Sequence, residues 1–190
     1  MRTVFKTAEL PHIWVNQSAL YGESPSALSF EGEAIYSYST VLARLISHKG
    51  KRAVLINDWR FSNSMSKHQS YVRRAIPDTL PRFFVCEPRG ARLLHDGAAI
   101  FAHAIAQASE CAKAAQGTRQ GTLKRSRLES KQASWLARAK EASAFFGLRR
   151  KVDEQAISRL AAAAAKAEKE AVHRIAWKEI ERLAPVLATV

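Results

Sequence analysis

Leu28-Ser29-Phe30-Glu31-Gly32-Glu33-Ala34-Ile35-Tyr36-Ser37-Tyr38 is the stretch that decides the front half of the chain. Apolar and polar residues alternate on both sides of Gly32, which reads as two half-buried strands joined by a glycine-containing turn. With the two-residue period of a strand, Tyr36 and Tyr38 share one face and Ile35 and Ser37 the other. The pattern continues downstream. Val41, Ala43 and Leu45 alternate with Leu42, Arg44 and Ile46, predicting a third strand over Val41 to Ser47. A turn at His48-Lys49-Gly50-Lys51 then leads into a fourth strand, Ala53-Val54-Leu55-Ile56. Connections of a few residues cannot make parallel crossovers, so these strands predict an antiparallel meander. Upstream, residues 1–27 mix apolar positions (Val4, Phe5, Ile13, Trp14, Val15) with the turn formers Pro11, Gly22 and Pro25.

After the strands, Asn57 to Ser64 is a polar loop carrying Trp59 and Phe61. Ser66-Lys67-His68-Gln69 has capping-box spacing, predicting a helix that starts at Ser66. It ends near Ile76, because Pro77 forbids continuation, and Tyr71, Val72 and Ala75 would face the sheet. Phe83-Phe84-Val85-Cys86, bounded by Pro81 and Pro88, fits another strand, and residues 87–97 read as a linker or edge loop. From Ala98 the pattern is helical. Phe101, Ala104, Ile105, Ala108, Cys111, Ala112 and Ala115 form one stripe, broken by Gly117 and Gly121. A second helix over Leu123 to Phe146 carries Leu128, Trp135, Ala139, Ala142 and Phe146 on a face and stops at Gly147. A third, from Val152 to Ala184, would present Ile157, Leu160, Ala164, Ala167, Ala171 and Ile175. The expected class is α+β. A small antiparallel β-meander with a packed helix (residues 1–97) precedes an alanine-rich helical hairpin or bundle (residues 98–190).

Charge is the strongest compositional signal. Thirty Lys+Arg against seventeen Asp+Glu leave +13, and both halves share the excess. Such a balance bears on partners rather than on fold, and phosphates are its natural complement. Cys86 and Cys111 form no CxxC and read as small buried apolar residues rather than a disulfide framework. No apolar run reaches signal-peptide or membrane-spanning length, so the expected setting is the cytoplasm, with no membrane partner.

The densest basic stretch holds Arg119, Lys124, Arg125, Arg127 and Lys131 against Glu129 alone. On a helix, Lys124, Arg127 and Lys131 make one cationic stripe suited to phosphate-backbone contact without base specificity. Arg149-Arg150-Lys151 is a second cluster, able to grip phosphate or to cap the helix before it. A third gathers Tyr36, Tyr38, Arg60, Lys67, His68, Arg73 and Arg74, where paired tyrosines could stack bases beside a phosphate rim or simply pack.

Catalytic constellations do not emerge. Ser64 and Ser66 beside His68 do not make a triad, because the base must reach the nucleophile across space with a third group orienting it. Histidines and cysteines lack metal-ligand spacing, and neither GxGxxG nor GxxxxGK[ST] occurs, so no metal and no cofactor is expected.

Phe30-Glu31-Gly32 … Ile35-Tyr36-Ser37-Tyr38 … Ala43-Arg44 … Ser66-Lys67-His68-Gln69-Ser70 resembles a family of uncharacterised proteins of phages, plasmids and bacterial genomes. Their pattern is F-E-G-x-x-I-Y-S-Y, then A-R, then T-S-K-H-x-S. The resemblance covers residues 28–76 and departs at Met65, where the family has Thr, and at Ser39 to Leu42, where it tends to Gly, His and Pro. It implies a mobile-element setting and a recurrent compact module, and transfers no activity and no catalytic residue.

Together these features read as a non-catalytic, nucleic-acid-associated accessory protein of a phage or mobile element, binding DNA or RNA through phosphate. The alternative is an anti-defence factor that inhibits a host nucleoprotein complex by imitating or obstructing its nucleic-acid contacts. The alanine-rich third helix has poor heptad regularity, which favours a monomeric hairpin over a homodimer.

Overall fold

The hairpin Thr40–His48/Lys51–Asn57 is the centre of the architecture. Its loop, Lys49-Gly50, has both residues at positive φ (48° and 76°), the conformation that matches the twist of paired strands in a two-residue turn. The computed structural model describes residues 3–59, 62–86, 96–167 and 170. Two compact units emerge, and neither is a continuous piece of chain. One holds Met1–His103 and Arg138–Arg150, the other Ala104–Ala137 and Lys151–Val190.

In the first unit, α1 (Leu10–Val15) is followed by β1 (Tyr21–Glu23), β2 (Leu28–Glu31), β3 (Ala34–Ser37), β4 (Thr40–His48) and β5 (Lys51–Asn57). Then come α2 (Asn63–Ala75) and β6 (Arg82–Val85). Among the described residues the six strands form one sheet in sequence order. The expected meander holds through β5, with a bulge between Ile35 and Tyr36. β6 then adds parallel to β5, because α2 supplies the long crossover that a parallel pair requires. The α+β class is therefore the observed one, with a mostly antiparallel sheet and its helices. β1 and α1 have no counterpart in the sequence reading, since three residues and one and a half turns leave no measurable period.

Both faces of the central strands are covered, which explains the unbroken burial of Ala53 to Asn57. One face sets Leu28, Phe30, Ile35, Val54 and Ile56 with Leu10, Trp14, Met65 and Val72 of the flanking helices. The other sets Ile46, Ala53, Leu55 and Phe83 with Ile100 and Ala142, with Phe145 and Phe146 packed against them. Trp14 is fully buried, and its indole N–H donates to the Glu33 carbonyl at 3.0 Å, which fixes the β2–β3 turn. Removing one such large side chain from water contributes about 1.5–3 kcal/mol.

α2 starts earlier than its capping-box spacing suggested. Ser62, in extended conformation, accepts the Met65 N–H at 3.2 Å and is the N-cap, whereas Ser66 lies inside the first turns. The helix ends at Ala75 before Pro77, as expected. Tyr38 also departs from its expectation. β3 stops at Ser37, and Tyr38 sits in the following turn with φ 54° and 67% exposure, so it does not share a strand face with Tyr36. Cys86 is exposed just past β6 rather than buried, while Cys111 is buried as expected.

The second unit holds most of α3 (Gly97–Gln116), the front of α4 (Leu123–Phe146) and a helix α5 over 154–167. The α3 row Ala104, Ala108, Cys111, Ala112 and Ala115 is buried as its periodicity predicted. Thr122 caps α4 by accepting the Arg125 N–H at 3.3 Å, and Asp153 caps α5 through the Ala156 N–H at 2.8 Å. In α5 the buried row is Ile157, Ala161 and Ala165, while Leu160 is 69% exposed and Ala164 and Ala167 also face solvent. The expected face was one residue out of phase, because alanine on every side of a helix gives apolar periodicity nothing to select. Ala171 and Ile175, and the expected stop at Pro185, lie outside the described residues.

Candidate functional site

A buried polar cluster ties α2 to the sheet. Met65, His68, Gln69, Val72 and Ala75 form its inward face, so two polar side chains stand where apolar ones would serve packing alone. The His68 ring contacts the Ser37 hydroxyl, Nδ1 to Oγ, at 2.7 Å. Gln69 donates to the carbonyls of Asn57 (2.9 Å) and Trp59 (2.8 Å), and Asn57 donates to the Val41 carbonyl at 3.2 Å. These bonds fix the chain as it leaves β5. Burial lowers the His68 pKa below the ordinary histidine value, and the neighbouring Lys67 charge lowers it further, so the ring is neutral near pH 7. With 4% exposure for His68 and 2% for Ser37, this hydroxyl–imidazole pair is a packing element that no bound polymer touches. His68 therefore leaves the set of candidate binding residues. An amide and an imidazole on an apolar helical face are the sequence signal for this cluster, whereas capping-box spacing engages Gln69 only as a cap partner.

At the edge strand β6, Arg73 forms an ion pair with Asp58, and its guanidinium lies 5.9 Å from the centre of the Phe84 ring. Arg138 of α4 stacks on the same ring at 4.2 Å. Burial is the main cause that lowers the Arg138 pKa, with Arg73 adding to the shift and Asp58 and Glu141 opposing it. His103 is likewise lowered by burial and opposed by Asp58. Arg73 is thus engaged internally, while Lys67 and Arg74 on α2 are exposed. Arg60 lies outside the described residues. Tyr36 is half-buried in an open depression beside Glu23 and Glu31, so its neighbours repel phosphate.

The cations of α4 divide into two roles. Arg125 donates to Glu129 (2.8 Å) and to the Thr118 carbonyl (3.3 Å), which turns it back onto the α3–α4 link. Lys124, Arg127 and Lys131 are exposed and make no ion pair among the described residues. At 1.5 Å rise per residue they span about 10 Å along one side of the helix. α4 has no acidic residue in its first turn, so the positive end of the helix dipole and these side chains add to one positive field. Arg119 is exposed in the preceding link. Beyond Gly147 (φ 66°) the helix is closed by its backbone, the Leu148 N–H donating to Ser143 O at 2.9 Å. The Ser143 hydroxyl bonds the carbonyls of Leu148 and Arg150 at 3.1 and 2.8 Å, leaving Arg149, Arg150 and Lys151 exposed.

Among the described residues no three His, Cys, Asp or Glu side chains gather as metal ligands, and no helix is long and apolar enough to cross a membrane. Comparison of the chain with protein-family models, curated proteins and solved structures gives no match.

Proposed function

We propose that this protein binds nucleic acid through the phosphate backbone, with little sequence selectivity, as a non-catalytic accessory factor of a phage or mobile element in the cytoplasm. The observation that carries the reading is the exposed row Lys124, Arg127 and Lys131 without acidic partners among the described residues, on the positive end of α4. The overall charge of +13 points the same way. The mobile-element setting rests on the resemblance of residues 28–76. Arg119 and Lys151 in the second unit, and Lys67, Arg74, Arg149 and Arg150 in the first, are further exposed cations open to phosphate. Polarisation titrations with labelled duplex DNA, single-stranded DNA and RNA at 50 and 200 mM salt test it. Binding to at least one polymer should weaken steeply with salt, as counterion release requires. Absence of binding at low salt, or affinity indifferent to salt, would overturn the reading.

A further inference from the structure

The first three strands present a surface of the opposite sign. On one sheet face, Tyr21 stands opposite Glu31, and Glu23 opposite Ser29, which in turn stands opposite Tyr36. Ser29 is the small residue in the middle, and the side chains around it leave an open depression of about 370 Å³. Tyr21 is 57% exposed, Glu23 and Glu31 are exposed, and Tyr36 is half-buried. In a chain where cations outnumber carboxylates by thirteen, acidic groups should readily find internal partners. Neither Glu23 nor Glu31 has an ion pair among the described residues, and Arg44, in the row of Glu31 two strands away, makes none either.

We propose that this depression is a docking site for an extended peptide segment carrying Lys or Arg at alternate positions. Tyrosine faces attract a guanidinium or ammonium through their quadrupole, and the two carboxylates supply charge-assisted hydrogen bonds. Spacing selects the occupant. Glu23 and Glu31 are diagonal neighbours on adjacent strands, about 7–8 Å apart by sheet geometry. Alternate side chains of an extended segment lie about 6.6–6.8 Å apart on one face, close to that separation. The outer edge of β1 is already taken by residues 3–5, since Phe5 N–H donates to Glu23 O and Glu23 N–H to Thr3 O, both at 2.9 Å. The segment therefore docks by its side chains on the sheet face and does not add a strand. This site is independent of the phosphate-binding reading.

Two labelled peptides of equal charge, acetyl-Ser-Arg-Ser-Arg-Ser-amide and acetyl-Ser-Arg-Arg-Ser-Ser-amide, titrated by anisotropy at low salt, test the proposal. The alternate-arginine peptide should saturate at one per chain and bind at least about fivefold more tightly than the adjacent-arginine peptide. The Glu23→Gln/Glu31→Gln variant should lose about tenfold, with an unchanged melting temperature, since both positions are exposed. Equal affinity for the two peptides, or unchanged affinity in the variant, overturns the site. Displacement of the peptide by an equal concentration of spermidine would assign it to small polyamines and overturn the peptide occupant. So would self-association of the protein that the double variant abolishes, because the occupant would then be a second copy.

Discussion

Ser37 and His68, thirty-one residues apart in sequence, meet at 2.7 Å between Oγ and Nδ1 and join β3 to α2 inside the first unit. Burial of the His68 ring, with the Lys67 charge beside it, makes stability depend on pH in a defined direction. Because burial holds the folded pKa of His68 below the unfolded value of about 6.5, the unfolded chain binds the proton more readily. The protein should therefore be at full stability above pH 6.5 and lose stability as pH falls from there towards the folded pKa. His103, lowered mainly by burial, acts in the same sense. Urea denaturation at pH 8, 6.5 and 5 should show a falling midpoint, and His68→Gln should flatten that fall while leaving the His103 share. An identical profile in His68→Gln would remove His68 as its source.

The cap of α2 gives a second measurement. Ser62→Ala should cost about 1 kcal/mol, because it strands the Met65 N–H that the hydroxyl satisfies. Ser66→Ala should be close to neutral: inside a helix alanine has the higher propensity. Chemical denaturation of the two variants side by side separates them, and a larger loss at Ser66 would contradict the cap geometry.

Close packing at the start of α3 yields a third. A Cβ on Gly97 would fall 2.5 Å from Cγ and 2.6 Å from Cβ of Phe146, atoms near the backbone that cannot swing away. Gly97→Ala should cost about 1–3 kcal/mol through overpacking. Combined with Phe146→Gly, which removes the Cβ as well as the ring, the loss should be clearly smaller than the sum of the two single losses, since the residues share one space. Additive losses would show that the contact is not the cause.

What the sequence made legible follows from where periodicity carries information. β2 to β5 and the α3 row were readable because large apolar residues alternate with polar ones or recur at helical spacing. β1 and α1 are too short to show a period. The α5 face was misplaced for a different reason: with Ala161 to Ala165 in a row, only Ile157 and Leu160 could orient the helix, and they point to different faces. The cation stripe of α4 was visible as i, i+3, i+7 spacing. That Arg125 turns away to Glu129 and Thr118 was not, because spacing does not say which of two adjacent cations meets a partner. The depression around Ser29 depends on register across three strands, which a single strand pattern leaves undetermined.

The division of labour along α4 supplies the most direct test of the proposed activity. Lys124, Arg127 and Lys131 are exposed and make no ion pair among the described residues, so changing all three to Gln should leave the melting temperature within about a degree or two, as surface substitutions do. If each neutralises one phosphate, the triple variant should reduce the slope of log affinity against log salt by about 2.7 on duplex DNA, or about 2 on single strands. The loss should be similar for unrelated sequences, because phosphate contacts carry no base information. Arg125→Gln should behave oppositely. It removes the bonds to Glu129 and the Thr118 carbonyl, so it should lower stability while changing the salt slope little. A triple variant with the wild-type slope would take nucleic-acid contact away from this face of α4. A slope lost in Arg125→Gln instead would mean that the paired arginine, and not the exposed row, meets the phosphate.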